Sequence, residues 1–105
     1  MKEVTPQELK KLLDAKSNIQ LIDVREPHEA EIATIGGEII PMGEVMSNLN
    51  KISKDKKVIV HCRSGARSGA IIQALESQHG FSNLYNLKGG ILAYADQIDQ
   101  NLVKY

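Results

Sequence analysis

Short apolar runs alternate with stretches of helical periodicity from one end of this 105-residue chain to the other. No other feature constrains its fold as tightly. "VTPQELKKLLDAK" predicts a helix: Thr5 is placed to cap it, Pro6 takes the first helical position, and Glu8 is spaced to reach back to the cap. Val4 and Leu9 have the spacing of a hydrophobic staple, and Leu9, Leu12 and Leu13 form one apolar stripe. "NIQLIDV" reads as a strand and "REPHEAEI" as a turn into a short helix. "GEIIPMGEV" reads as a short strand stopped by Pro41. "GEVMSNLNKI" predicts a helix, with Val45, Leu49 and Ile52 at helical spacing. "KKVIVHC" is a strand with an unbroken apolar centre, as expected where both faces of a sheet are covered.

"RSGAIIQALESQHGF" follows as a helix with Ala70, Ile71, Ala74 and Leu75 as the expected buried stripe. Gly80 suits the left-handed position past its end, and Phe81 is placed to fold back on Leu75. "SNLYNL" is a further strand and "GGILAYADQID" a last helix. Strand and helix in regular alternation predict an α/β fold, a mostly parallel sheet with helices on both faces, and one domain over residues 1–105. Functional residues in such sheets gather in the loops at the carboxyl ends of the strands.

Composition narrows the function classes. Thirteen basic residues balance thirteen acidic ones, with no basic block, so neither nucleic acid nor an anionic membrane is an expected partner. No apolar run approaches the ~20 residues of a membrane span. "MKEVTPQELKKLL" has no apolar core of the kind a secretory signal needs. A single cysteine cannot form an internal disulfide, which fits the cytoplasm. One cysteine and three scattered histidines do not make the four-ligand set of a structural zinc site. No metal or other cofactor is called for.

That one cysteine, Cys62, lies in "HCRSGARSG", where the most apolar strand gives way to a helix. A strand-to-helix turn directs several backbone N–H groups into one concavity, and the helix N-terminus adds positive partial charge. A cysteine facing such a cradle has its thiolate stabilised. Gly65 permits the torsions the turn needs, Ser64 and Ser68 bring hydroxyls, and Arg63 and Arg67 bring charge for a docked anion. Ser68 is alternatively a helix cap. An inert core cysteine is the competing reading, but a core turn has no need of two arginines within five residues.

A second cluster is "DVREPHE". Asp23 and Arg25 end another predicted strand and share its sheet edge with Cys62. Asp23 is placed to anchor an arginine of the loop, and Arg25 to pair with Glu29 four residues on, as support rather than as catalysts. His61 precedes Cys62, and neighbours on a strand face opposite ways, so it is expected to be structural. His28 and His79 have no visible catalytic partner, and Tyr94 fits the core stripe of the last helix.

"LIDVREPHE", "VIVHCRSGARS" and "NLYNLKGGILAY" resemble, in order and spacing, the motifs of the rhodanese-like sulfurtransferase family. The resemblance covers essentially the whole chain. It implies a five-stranded parallel sheet and a persulfide carried on Cys62, with the backbone of Arg63, Ser64, Gly65, Ala66 and Arg67 as cradle. Asp23 and Arg25 would brace the loop. It also implies a small anionic donor such as thiosulfate and a thiophilic acceptor. "TIGGEII" stands where the family often has "GHIPGA", and Tyr94 where it often has tryptophan. "GGEIIPMGEV" and "GGILAYADQID" are similar to rhodanese domains fused to adenylyltransferases, which points to a ubiquitin-like sulfur carrier or another protein as acceptor. The C-x4-R spacing from Cys62 to Arg67 is one residue shorter than the C-x5-R of related phosphatases and arsenate reductases. Those two activities and a catalytically silent interaction module are the alternatives.

Overall fold

The computed structural model describes residues 1–105. In chain order its elements are β1 (Glu3–Val4), α1 (Pro6–Asp14), β2 (Ile19–Asp23), α2 (Pro27–Ile32) and β3 (Glu38–Ile39), then two 3-10 segments (Met42–Ser47 and Leu49–Lys51), β4 (Lys57–His61), α3 (Ala66–His79), β5 (Leu84–Leu87) and α4 (Gly90–Gln97). The five strands form one sheet in the order β1-β5-β4-β2-β3, with every pairing parallel. The expected α/β architecture is present.

The periodicity of β4 divides the core. Val58, Val60 and Cys62 point into a cluster with Ile71, Ile72 and Leu75 of α3 and with Val45 and Ile52 from the 3-10 region. Ile59 points the other way, into a cluster with Val4, Leu9, Leu87 and Tyr94 that α1 and α4 cover. Burial of apolar surface on both faces drives the assembly at roughly 25 cal/mol per Å². No helix is long and apolar enough to cross a membrane.

Helix α1 starts as its sequence predicts. The Thr5 hydroxyl accepts from the Glu8 N–H and the Glu8 carboxylate accepts from the Thr5 N–H, a closed capping box. Gly80 is left-handed at φ +69°, and the Phe81 N–H returns to the Leu75 carbonyl.

Two expectations are corrected. Where the spacing predicts an α-helix over 43–52, the chain forms two 3-10 segments, Met42–Ser47 and Leu49–Lys51. Asn48 leaves the helical region (φ −131°, ψ 32°) and its side chain donates to the Glu44 carbonyl, so a local side-chain bond takes the place of the α ladder. The buried face of α3 is also rotated: Ser68, Ile71, Ile72 and Leu75 are inside, Ala70 is exposed and Ala74 half-buried. Ser68 is drawn inward by its contact with Cys62, and the i, i+3, i+4, i+7 rule then sets the rest of the stripe.

Candidate functional site

Cys62 follows the last residue of β4 and is 1% exposed. Its Sγ accepts from the Gly65 N–H at 3.1 Å, the Ser68 N–H at 3.5 Å and the Ser68 hydroxyl at 3.4 Å. Burial opposes the thiolate, but the Ser68 hydroxyl and the amides of Ser68, Gly65 and Ser64 outweigh it and hold the thiol below its ordinary value. Gly65 makes this turn possible: at φ +106° it occupies a conformation that a side chain would strain. Ser68 does not cap α3, because Gly65 holds that position and the hydroxyl turns onto the sulfur.

Ser68 is itself oriented by a residue that the sequence reading passed over. Its single hydroxyl proton is shared between Cys62 Sγ and Asn86 Oδ1, the latter at 2.6 Å, and Asn86 Nδ2 donates to the Gly65 carbonyl at 3.1 Å. Asn86 on β5 thus ties the helix side of the loop to the turn side. Its signal in the sequence was a polar residue inside an apolar strand, where burial demands partners.

The glycine pair at the start of α4 holds the other flank. The Ile91 and Leu92 N–H groups, in the first turn of α4, donate to the carbonyls of Cys62 and Arg63 at 3.0 and 3.1 Å. Gly90 (φ +64°) lies so close that a Cβ there would be 2.3 Å from the Arg63 carbonyl oxygen.

The arginines are sorted differently from the expectation. Asp23 does not reach the loop: it is fully buried and pairs with Arg25, Nη2 to Oδ2 at 2.8 Å, while Oδ1 accepts the Arg25 N–H at 3.0 Å. Two residues of separation close this pair inside one turn, which leaves Asp23 turned away from α3. Arg25 takes only the backbone carbonyl of Glu29, together with that of Ala33. The Glu29 carboxylate grips Arg67 instead, through two bonds of 2.8 and 2.9 Å. That fork, with the Glu26 amide and the Tyr105 hydroxyl, overcomes partial burial and holds the Glu29 carboxyl down to about 2. The Arg67 guanidinium is correspondingly pushed up.

Tyr105, also unanticipated, completes the network. Its hydroxyl accepts from Arg25 Nη1 at 2.8 Å and donates to Glu29 Oε1 at 2.9 Å. Its ring faces the guanidinium groups of Arg25 and Arg63, 5.7 and 5.1 Å from the ring centre. Ser64 and Ala66 are exposed on the loop.

His61 is fully buried, with Nε2 3.8 Å from Asp23 Oδ2 and no contact with the sulfur. Burial holds its pKa below the ordinary value. His28 and His79 are exposed, and Tyr94 is buried in the core beneath α4. No group of three or more His, Cys, Asp or Glu side chains is arranged to hold a metal ion.

The chemistry of this arrangement is that of an anion-stabilising pocket around one sulfur. The chain is similar to known proteins. Residues 5–97 match the rhodanese-like domain. A sulfurtransferase of Allochromatium vinosum is 34% identical, over 89% of this chain and 87% of that protein. The probable adenylyltransferase/sulfurtransferase MoeZ of Mycobacterium tuberculosis is 37% identical over 97% of this chain, which spans only 26% of MoeZ. A rhodanese-like domain protein from Staphylococcus aureus superposes with a TM-score of 0.82 at 30% identity, over 93% of this chain and 95% of that one. A lone cysteine in a strand-to-helix amide cradle, on this sheet and with these relatives, places the chain in the rhodanese-like sulfurtransferase family.

Proposed function

We propose that the protein moves a sulfane sulfur through a persulfide on Cys62, and that residues 1–105 act as one domain for this purpose. The observation that carries the reading is the set of donors converging on Sγ from Gly65 and Ser68. The Cys62 thiolate attacks the outer sulfur of a donor such as thiosulfate. A new S–S bond forms, the donor's S–S bond breaks, and sulfite leaves with the electron pair. The persulfide anion places its negative charge one atom further out, over a loop lined by the backbone of Arg63 to Arg67. An acceptor nucleophile then takes that outer sulfur, and the Cys62 thiolate departs with the electrons of the S–S bond.

Phosphoryl chemistry is less well supported, because Arg67, the residue that would clamp a tetrahedral anion, has its guanidinium fork occupied by Glu29. The likeness to MoeZ, an adenylyltransferase/sulfurtransferase, supports a protein acceptor such as a ubiquitin-like sulfur carrier, and a single free cysteine suits a reducing compartment such as the cytoplasm.

Intact-mass spectrometry tests the reading. On treatment with thiosulfate the protein is expected to gain the mass of one sulfur atom, and to lose it to cyanide. Cys62→Ser is expected to do neither while keeping its fold, since a hydroxyl is far less nucleophilic at neutral pH. Absence of any adduct on the native protein, together with a Cys62 pKa no lower than that of a free thiol, would leave the interaction-module reading in its place.

A further inference from the structure

Three cations lie in and beside the Cys62 loop, and two of them are committed. Arg25 is bound to Asp23 and Arg67 to Glu29, each by a carboxylate that neutralises it. Arg63 alone has no carboxylate partner, and its side chain is exposed. Its backbone is fixed by the Leu92 N–H on its carbonyl and by the close approach of Gly90. Only one contact locates its guanidinium, the face of the Tyr105 ring at 5.1 Å.

Tyr105 is itself anchored. Its hydroxyl is pinned between Arg25 and Glu29. The segment leading to it turns back from α4 through bonds from Ile98 and Asp99 to the Tyr94 carbonyl, and Ile98 and Leu102 pack on the α1/α4 core. The ring is therefore a fixed surface beside the loop.

An aromatic face holds a guanidinium in a way that a carboxylate cannot: it localises the group while leaving its full charge uncancelled. We propose that Tyr105 is a positioning residue that keeps Arg63 as the uncompensated positive charge beside Cys62, and that it thereby sets the preference of the site for anionic over neutral reaction partners. This rests on the sulfurtransferase reading for its biological meaning, since thiosulfate is such an anion, but its test does not depend on sulfur transfer.

The probe is the ratio of Cys62 alkylation rates by iodoacetate, an anion, and iodoacetamide, its neutral counterpart. Any change in thiol pKa affects both rates alike and cancels. Tyr105→Leu is expected to lower the ratio two- to five-fold, the range that a half-exposed cation–π contact of about 0.5–1 kcal/mol provides. Arg63→Gln should lower it at least as much, and the double variant should go no lower than Arg63→Gln alone. Tyr105→Phe loses the hydroxyl anchor but keeps the ring, with Ile98 and Leu102 still holding its segment, and should fall less than Tyr105→Leu. The same ordering is expected in KM for thiosulfate, with kcat little changed.

An unchanged ratio in Tyr105→Leu would overturn the proposal. So would an equal fall in Tyr105→Phe, which would assign the effect to the hydroxyl bridge, or a further fall when Tyr105→Leu is added to Arg63→Gln. A protein that takes up no sulfur but shows the expected ratios would defeat the transferase reading and leave this one standing.

Discussion

Arg67 and Glu29 meet across 38 residues of sequence and join the first turn of α3 to α2. The pair is partly exposed, with side-chain accessibilities of 34% and 11%, so its worth is near that of a good surface ion pair, about 1 kcal/mol. Arg67→Ala and Glu29→Gln are each expected to lower the melting temperature by about 4 °C or more. Because both break the same ion pair, the double variant should lose little beyond Glu29→Gln alone, which also weakens the bonds from the Glu26 N–H and the Tyr105 hydroxyl. If Arg67 serves by bracing the loop, kcat should fall alongside stability. A rise in KM with an unchanged melting temperature would instead assign Arg67 to substrate contact. Asp23 is a different case. Its removal strands the fully buried Arg25, so Asp23→Ala is expected to cost several kcal/mol, about 3–5 for a broken buried pair.

Among the elements, α4 bears on the site through its first turn rather than its length. Its opening N–H groups, free in any helix, are spent on the carbonyls of Cys62 and Arg63. That docking requires a backbone with no side chain at Gly90. Gly90→Ala combines a left-handed φ of +64° with a Cβ at 2.3 Å from a backbone oxygen. It is expected to destabilise by about 1–3 kcal/mol and to lower turnover by shifting the loop. Gly43 is the control. A Cβ there meets nothing within 4 Å and its φ is not positive, so Gly43→Ala should be neutral or slightly stabilising. Thermal unfolding of the two variants measures the contrast, and a Gly90→Ala protein as stable and active as Gly43→Ala would contradict the docking argument.

On the acid side, two buried groups couple folding of the whole molecule to pH in the same direction. His61 is buried and held below its ordinary value of 6.5, so the unfolded chain takes up its proton first and stability falls as pH drops below about 6.5. Glu29 is held from 4.5 down to about 2. Its contribution is complete above the ordinary carboxylate range and is lost as pH falls through it towards 2. Denaturation midpoints measured against pH should therefore decline in two stages on the acid side. Glu29→Gln should weaken the lower stage and spare the upper one. An upper stage that persists unchanged when His61 is replaced by glutamine would show that another group is responsible.

What the sequence determined by itself was whatever acts within a few residues along the chain. The alternation of apolar periods specified β2 to β5 and the α-helices in order, though not the two-residue β1 or the 3-10 segments; the Thr5–Glu8 box started α1, and Gly80 ended α3. The spacing from Cys62 to Arg67 likewise marked the loop, because a glycine three residues after the cysteine is placed to turn its amide back onto the sulfur. The tertiary structure decided the rest. Whether Arg67 meets Asp23 or Glu29 depends on where α2 docks, and which face of α3 is buried depends on Ser68 reaching both Cys62 and Asn86. Tyr105 reaches Arg25, 80 residues away, only because residues 98–105 fold back from α4. Such pairings are chosen by the packing of whole elements, where the burial of apolar surface fixes relative positions and polar groups must take the partners they are then given.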